Sequence, residues 1–294
     1  MVPAWQASVM RFENDAVVLN SVGPSYAIGY DATNRTSELV GHVPAKTLVY
    51  FDYHDFGQSL SAFLGKFRAL PELKDAFRAF DQALATVGGY DATFGWWGDT
   101  AVVVSPLADG TIGGGLVIKP RDAAAADRLL TVLNGSLALV GGSAGVVTRT
   151  EDHKGTKVTV VDLSSAGGMS PQSLPPGYKA EIAWATNADV TVIGYGAAFV
   201  KEVLDAGPGA SLGDDARFKG LLNRVGAENI SLAFVDVAAI RGLIEPLLSL
   251  GLPAEQMQAY TTEIKPYLEH LDALIGANRK DGPIDRGSSI ITVR

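Results

Sequence analysis

Three closely spaced polar residues have the clearest potential for chemistry: Asp52, His54 and Asp55. They end or follow a β-branched and aromatic run, Leu48 to Tyr53, of the kind that forms a buried strand. Because alternate strand residues share a face, Asp52 and His54 have the spacing of two metal ligands or of an acid–base pair. The structural alternative, which we favour, is that Asp52 or Asp55 caps the helix that follows while His54 lies at the strand end.

Two adjacent tryptophans, Trp96 and Trp97, form a second candidate site. They lie between Gly95 and Gly98 and are followed by Asp99, so their rings could provide a platform for a sugar or an apolar ligand. Consecutive strand residues point to opposite faces of a sheet. We therefore expect one tryptophan in the core and the other partly exposed.

The remaining motifs do not assemble a catalytic set. The segment Gly141 to Gly145 matches the G-x-S-x-G pattern of serine hydrolases, but that nucleophile needs a preceding strand and a following helix. Here a predicted helix end precedes the motif and a β-rich run follows it. The four histidines lie in unrelated contexts without an evident aspartate partner, and the absence of cysteine excludes disulfides, thiol nucleophiles and Cys-ligated zinc. We expect no cofactor and no bound metal, and the balance leans against enzymatic activity.

The composition is that of a folded protein that does not bind nucleic acid. Of the 294 residues, 47% are hydrophobic and 19% are charged, which is the opposite of the balance found in disordered chains. The formal charge of −8 lacks the excess of Lys and Arg that phosphate binding requires. No window approaches the ~20 apolar residues of a membrane-spanning helix, and the N-terminus lacks the basic and apolar regions of an export signal.

Hydrophobic periodicity and turn residues predict an alternation of hairpins and amphipathic helices. Four hairpins are predicted, at residues 7–19, 101–118, 146–161 and 181–193. Helices are predicted to begin near Phe56, Pro71, Asp122, Phe199 and Asp214 or Asp215. A last helix is predicted from Met257 to Ile275, with Pro266 midway, and its apolar face would serve the core or a dimer contact.

An internal repeat is the most informative pattern in the chain. The run LVYFDYHDF at 48–56 aligns with LAFVDVAAI at 232–240, so that Asp52 matches Asp236 at a shift of 184 residues. Each copy consists of a strand, an aspartate and an amphipathic helix. The second copy has two alanines where the first has His54 and Asp55, which favours the capping interpretation over a metal or catalytic site.

The repeat predicts an α+β fold with antiparallel β-sheets, helices packed on their outer faces, and two related halves at about residues 41–165 and 178–294. The Ser-, Gly- and Pro-rich segment from Ser164 to Gly177 is the expected internal boundary. Residues 1–40 are expected to form an N-terminal β-hairpin and connecting loop, the tail of a preceding repeat. They would precede one repeat-containing domain at residues 41–294.

Two segments carry a resemblance to a known family. The segment His42 to Asp52 (HVPAKTLVYFD) is similar to a signature of proline, a small residue, Asp or Lys, threonine and then a strand. The segment Ser211 to Lys219 (SLGDDARFK), followed by Leu232 to Asp236 (LAFVD), is similar to a signature of Ser-Leu, two acids, Phe-Lys and a strand that ends in Asp. Together they resemble the bacterial "domain of unknown function 3352" family over about residues 41 to 294.

The resemblance implies a location rather than an activity. The family has no assigned activity and no catalytic residues to transfer. Its members commonly carry an N-terminal membrane segment and lie outside the cytoplasm, whereas no transmembrane segment is expected within this chain. We therefore expect a location in the cell envelope, with this chain as the C-terminal part of a longer, anchored protein.

Three functions follow, in order of preference. The first is a non-catalytic structural or interaction protein of the bacterial cell envelope, with a protein partner or self-association. The second is a small-molecule or lipid-binding module with an apolar cleft near Trp96 and Trp97. The third is an enzyme that uses Asp52 and His54. These four side chains are the candidate ligand-binding residues, and no residue is assigned a catalytic role.

Overall fold

The structure, a computed structural model, describes residues 5–25, 32–141, 145–166 and 177–294. The strands in these residues are β1 (Ala7–Glu13), β2 (Ala16–Pro24), β3 (Arg35–Thr36), β4 (Val49–Tyr53), β5 (Trp97–Pro106), β6 (Ile112–Pro120), β7 (Val147–His153), β8 (Thr156–Asp162), β9 (Glu181–Thr186), β10 (Thr191–Tyr195), β11 (Glu228–Asn229), β12 (Ser231–Val235), β13 (Leu271–Asp281) and β14 (Ile284–Val293). The helices are α1 (Phe56–Arg68), α2 (Lys74–Ala85), α3 (Gly89–Phe94), α4 (Ala123–Val140), α5 (Ala197–Asp205), α6 (Ala216–Val225), α7 (Val237–Gly251), α8 (Ala254–Ala259) and α9 (Lys265–Leu268).

Twelve strands form one antiparallel sheet, in the spatial order β1-β2-β14-β13-β12-β4-β5-β6-β10-β9-β8-β7. The short strands β3 and β11 pair separately. Five of the eleven neighbouring pairs in the large sheet are hairpins. Strands β4 and β12 are far apart in the chain and pair at the centre of the sheet, where Tyr50 lies opposite Phe234. This contact brings the N-terminal and C-terminal parts of the chain into one sheet.

The sheet face that carries α5 and α6 is tightly packed. Phe199 of α5 lies over β10, where a Cβ on Gly194 would be only 2.3 Å from its ring. Phe218 of α6 packs edge to face on Phe234, with ring centroids 5.2 Å apart. Alternate residues of the central strands point to this face, so Tyr50 and its neighbours form the main hydrophobic core.

The opposite face carries α1 and α4, and it leaves part of the sheet in contact with water. Leu129 of α4 packs with Ile118 and Trp96 in a second cluster. By contrast, Phe51 and Val102, which lie opposite one another on β4 and β5, are 45% and 46% exposed. The helices therefore cover this face incompletely, and the site described below lies on it.

Most of the predicted elements are confirmed. The four predicted hairpins correspond to β1–β2, β5–β6, β7–β8 and β9–β10. Asp122 and Asp215 cap α4 and α6, because their carboxylates accept hydrogen bonds from the backbone N–H groups of Ala125 and Phe218. The α+β class is confirmed in its coarse form: a large antiparallel sheet with helices on both faces.

The prediction of one helix from Met257 to Ile275 is wrong in its C-terminal part. After a π-helical turn at Tyr260–Ile264, the helix ends at Leu268, and β13 begins at Leu271. The apolar residues of β13 fit a helical spacing, but they also alternate along a strand. Pairing with β12 on one side and β14 on the other decides in favour of the strand.

The N-terminal hairpin is joined to the rest of the sheet. Strand β2 pairs with β14 from Ala16 to Pro24, which leaves β1 at the edge. Two sequence features lie largely outside the described residues. One is the loop predicted from Ser164 to Gly177, of which 167–176 are not described, and the other is Ser143 of the G-x-S-x-G motif.

Candidate functional site

A cleft of about 550 Å³ opens between α1 and the sheet. One side is formed by α1, and the floor is formed by strands β2, β14, β13 and β12. Sites for small molecules typically have volumes of about 300–1,000 Å³. The cleft therefore has the size of a ligand site.

The helical side of the cleft is apolar. Phe56, Leu60 and Phe63, which we call the apolar wall, follow one another at spacings of four and three residues and so lie on one stripe of α1. Phe56 also packs on Trp97, with ring centroids 6.0 Å apart. A Cβ on Gly57 would lie 2.5 Å from the carbonyl oxygen of Trp97. Glycine at this position therefore allows the close contact between α1 and β5 that holds the wall in place.

The sheet side of the cleft carries a band of polar side chains, which lies next to Val22, Tyr53 and Ile230. One row of residues crosses the floor from strand to strand, each residue lying opposite the next. In the order β2, β14, β13 and β12, the row consists of Ser21, Gly287, Asn278 and Ser231. The Asn278 side-chain amide donates a hydrogen bond to Ser231 Oγ at 3.1 Å. A Cβ on Gly287 would lie 2.6 Å from Ser21 Oγ, so glycine keeps the floor open. Lys280 and Asp285, which lie opposite one another on β13 and β14, also line the cleft. We call these six residues the polar wall: Ser21, Ser231, Asn278, Lys280, Asp285 and Gly287.

Ser59 lies on α1 and also lines the cleft. Its Oγ is buried and has no hydrogen-bond partner among the described residues. A buried hydroxyl without a partner costs about 1–3 kcal/mol.

The loop before α1 is held by a buried ionic network. His54 is fully buried, and its Nδ1 lies 2.9 Å from Asp99 Oδ2. The other Asp99 oxygen accepts hydrogen bonds from the backbone N–H of Asp55, at 2.9 Å, and from Arg35. The Nε2 of His54 is buried without a partner among the described residues.

Asp55 extends this network to a second arginine. Its carboxylate accepts hydrogen bonds from Arg35 Nη1 and Arg121 Nη2, both at 2.8 Å. Its backbone is left-handed, with φ of 52°, a conformation that aspartate tolerates better than most residues. The network therefore ties the start of α1 to β3, β5 and the segment after β6.

The network keeps both of its carboxylates ionised. Burial alone would raise the pKa of Asp55, but hydrogen bonds from Arg35 and Arg121 outweigh it and lower the pKa. Burial would also raise the pKa of Asp99, but hydrogen bonds from His54, from the Asp55 N–H and from Arg35 lower it well below its usual range. His54, Asp55 and Asp99 are buried, whereas the side chains of Arg35 and Arg121 are about one third exposed.

Asp52 belongs to a separate buried cluster. Its Oδ2 accepts hydrogen bonds from Ser37 and, at 2.7 Å, from the Tyr50 hydroxyl, while its Oδ1 accepts one from the Leu232 backbone N–H at 3.1 Å. Burial raises the pKa of Asp52, and the hydroxyl hydrogen bonds only partly offset this effect. Asp52 thus links β4 to β12 through the hydrogen bond from Leu232.

The starts of α1 and α7, which are equivalent helices in the predicted repeat, are capped differently. The prediction that Asp52 or Asp55 caps α1 is confirmed only in position: Asp55 is the N-cap residue of α1, but its carboxylate binds arginines and makes no cap hydrogen bond, and Asp52 is a strand residue. Asp236 does cap α7, accepting a hydrogen bond from the Ala239 N–H at 2.9 Å. The difference arises because Asp236 directly precedes α7, whereas its repeat equivalent Asp52 lies within β4, four residues before α1.

The predicted ligand-binding residues do not line the cleft. Trp96 is buried and Trp97 is half-buried, as expected, but Trp96 precedes β5 and both rings belong to one hydrophobic cluster, with centroids 5.5 Å apart. Asp52 and His54 are 5% and 0% exposed and belong to the two buried clusters. Of the four, Trp97 contacts Phe56 of the apolar wall.

Sequence reasoning missed the polar wall and most of the ionic network. The apolar stripe of α1 was visible as helical periodicity, but its role as one side of a cleft was not. Asp99 was visible only as the residue after Trp97 and Gly98. Arg35 lies in a connecting segment without periodicity, and no local signal connects it to Asp55.

Two properties of the described residues bear on the type of site. They contain no group of three His, Cys, Asp or Glu side chains arranged to hold a metal ion. No helix among them has the length and apolar character needed to cross a bilayer. Comparisons of the chain with protein-family models, with curated proteins and with solved structures found no match.

Proposed function

We propose that this chain is a binding module that holds a small amphipathic molecule between α1 and the sheet. The observation that carries the proposal is the cleft of about 550 Å³ with one apolar and one hydrogen-bonding wall. It develops the second function predicted from the sequence, a small-molecule or lipid-binding module. The site, however, lies between α1 and strands β2, β14, β13 and β12 instead of at Trp96 and Trp97.

The two walls supply the two requirements of a ligand site. Apolar surface that leaves water contributes about 25 cal/mol per Å², and Phe56, Leu60 and Phe63 offer such surface. A few fixed polar groups then set the orientation of the ligand, and Asn278 and Ser231 are joined by a hydrogen bond that fixes their positions.

Catalysis by Asp52 and His54 is not our proposal. Both side chains are buried in hydrogen-bonded clusters, and neither lines the cleft. Their described partners account for both Asp52 oxygens and for the Nδ1 of His54. A structural role explains these contacts without a substrate.

A fluorescence titration tests the binding function. N-phenyl-1-naphthylamine is an uncharged dye whose emission rises when it leaves water, and we expect it to bind the wild-type protein. Ser231→Phe places a ring in the cleft, so we expect the Kd of the dye to rise about tenfold or more.

Ile182→Phe is the matched control. Ile182 lies on β9, is 41% exposed and does not line the cleft, so the same ring added there should leave the Kd unchanged. Failure of the wild-type protein to bind the dye, or equal weakening by the two variants, would contradict the proposal. Thermal unfolding of both variants verifies that they are folded.

A structural or interaction protein of the bacterial cell envelope is the second candidate function. The favouring observation is edge strand β1, where Val9, Met10 and Phe12 are 60%, 59% and 80% exposed. An edge strand with exposed apolar side chains is a template for pairing with another chain. The envelope setting is supported by the family resemblance of the sequence.

We further infer that the two halves of the chain are related by an internal repeat and that the chain is a member of the resembled family. Tyr50 and Phe234, equivalent in the repeat, lie opposite each other at the β4–β12 contact. Each of these strands is followed by a helix, α1 or α7, and then by a hairpin, β5–β6 or β13–β14. This arrangement supports the repeat, and fractionation of the source cells tests the envelope location.

A further inference from the structure

We propose that the ligand of the cleft is an uncharged molecule with hydroxyl or amide groups along one edge and hydrocarbon along the other. This inference rests on the proposed binding function and names the class of ligand. It follows from the different chemistry of the two walls, which face each other along the cleft.

The polar wall is extended rather than confined to one end. Its row of Ser21, Gly287, Asn278 and Ser231 crosses four neighbouring strands. Neighbouring strands lie about 4.8 Å apart, so the row spans about 14 Å. A ligand that lies along the row meets Ser21 near one end and Asn278 and Ser231 near the other, with Gly287 between them. This pattern suits polar groups spread along an edge, not a single head group on a hydrocarbon chain.

The apolar wall faces the other edge of the ligand. Phe56, Leu60 and Phe63 cover about two turns of α1, and Phe63 is 38% exposed. Polar groups that pointed at this wall would lose hydrogen bonds to water without replacement, at a cost of about 1–3 kcal/mol each. The wall therefore selects a hydrocarbon edge.

The charges of the cleft favour an uncharged ligand. Among the described lining residues, Lys280 and Asp285 carry the charges, one of each sign, and they lie opposite one another on β13 and β14. Asp285 also accepts a hydrogen bond from Ser25 Oγ at 2.6 Å. Because the two charges are adjacent and opposite, the wall selects neither an anion nor a cation.

Two steroid esters form a matched pair of probes. Methyl cholate and methyl lithocholate share the ring system and the methyl ester, and both are uncharged. The first carries three hydroxyl groups on one face and the second carries one. Each is titrated against the wild-type protein loaded with N-phenyl-1-naphthylamine, and the Kd is obtained from displacement of the dye.

We expect methyl cholate to bind about tenfold more tightly, because two additional hydroxyls meet the polar wall. A purely apolar cleft would prefer methyl lithocholate, which is the more hydrophobic ester. Equal or tighter binding of methyl lithocholate would overturn the ligand class while the binding function stands. Absence of dye binding would instead overturn the binding function itself.

A variant of the polar wall gives a second measurement. Asn278→Leu combined with Ser231→Val makes the row apolar, and we expect the preference for methyl cholate to fall to about one or to reverse. The control is Asn223→Leu, an exposed position on α6 at the opposite face of the sheet, which should keep the wild-type preference. An unchanged preference in the double variant would overturn the assignment of the polar wall.

Discussion

Two aspartates on the adjacent strands β4 and β5 differ in how their surroundings shift their pKa values. The pKa of Asp52 is raised, and the pKa of Asp99 is lowered. Asp99 faces Arg35 and His54, whereas Asp52 faces the hydroxyls of Ser37 and Tyr50. The two groups therefore affect folding stability with opposite dependence on pH.

Asp99→Asn should lower the free energy of unfolding by about 2–3 kcal/mol at pH 7, because a buried, hydrogen-bonded ion pair loses one partner. The pKa of Asp99 is lowered in the folded state, so its contribution is present above the unfolded pKa of about 3.9 and is lost as the pH falls. Urea unfolding from pH 7 to pH 3 measures this. A deficit that stays constant over this range would contradict the assignment.

Asp52→Asn should behave differently. The pKa of Asp52 is raised in the folded state, so the ionised carboxyl penalises folding as the pH rises above about 4. The amide can still accept the hydrogen bond from the Leu232 N–H. We expect the variant to gain stability relative to wild type between pH 4 and pH 7 in the same urea series. A relative loss over that interval would show that the charge is stabilising.

At the scale of elements, helix α1 decides whether the cleft exists. Gly57 allows α1 to approach β5, and the ionic network fixes the loop before it. Gly65, in the same helix, has no atom within 4 Å of a Cβ built on it. The two glycines are therefore a matched pair for testing the helix–strand contact.

Gly57→Ala should lower the free energy of unfolding by about 1–3 kcal/mol, because the added methyl overlaps the backbone of Trp97. Gly65→Ala should raise it by about 0.5–1 kcal/mol, because alanine is the better helix former. Urea denaturation measures both. Equal effects of the two substitutions would mean that α1 does not pack closely on β5.

The elements that periodicity specifies could be predicted from the sequence, and those that depend on distant partners could not. The stripe of α1 and the hairpin at residues 101–118 are local patterns, and both occur in the structure. The apolar residues within 271–275 fit the spacing of a helix as well as that of a strand. Only their pairing with β12 and β14 shows that they form a strand. Polar wall residues such as Asn278 and Ser231 meet only after these strands pair.

At the scale of the whole molecule, the twelve-stranded sheet ends in an apolar edge. Phe12 on β1 is 80% exposed, and the neighbouring Met10 is 59% exposed. On the next strand, Leu19 lies opposite Met10 and is 40% exposed. This continuous surface is the feature that favours an interaction role.

Phe12→Lys should reduce self-association without lowering stability, because a lysine on an edge strand opposes pairing with another strand. Leu139→Lys on α4, at a position 89% exposed and remote from β1 in sequence, is the control and should leave association unchanged. Sedimentation velocity over a range of protein concentrations measures the effect. A monomeric wild-type protein at all concentrations would remove the argument for self-pairing through β1.

The central claim is that the cleft between α1 and strands β2, β14, β13 and β12 is a ligand site. Hydrogen exchange in the presence and absence of saturating N-phenyl-1-naphthylamine tests it most directly. We predict slower exchange of backbone amides in Phe56–Arg68 and around residues 278–287, with no such change in Ser231→Phe. Protection confined to other parts of the chain, or no protection at all, would contradict the account.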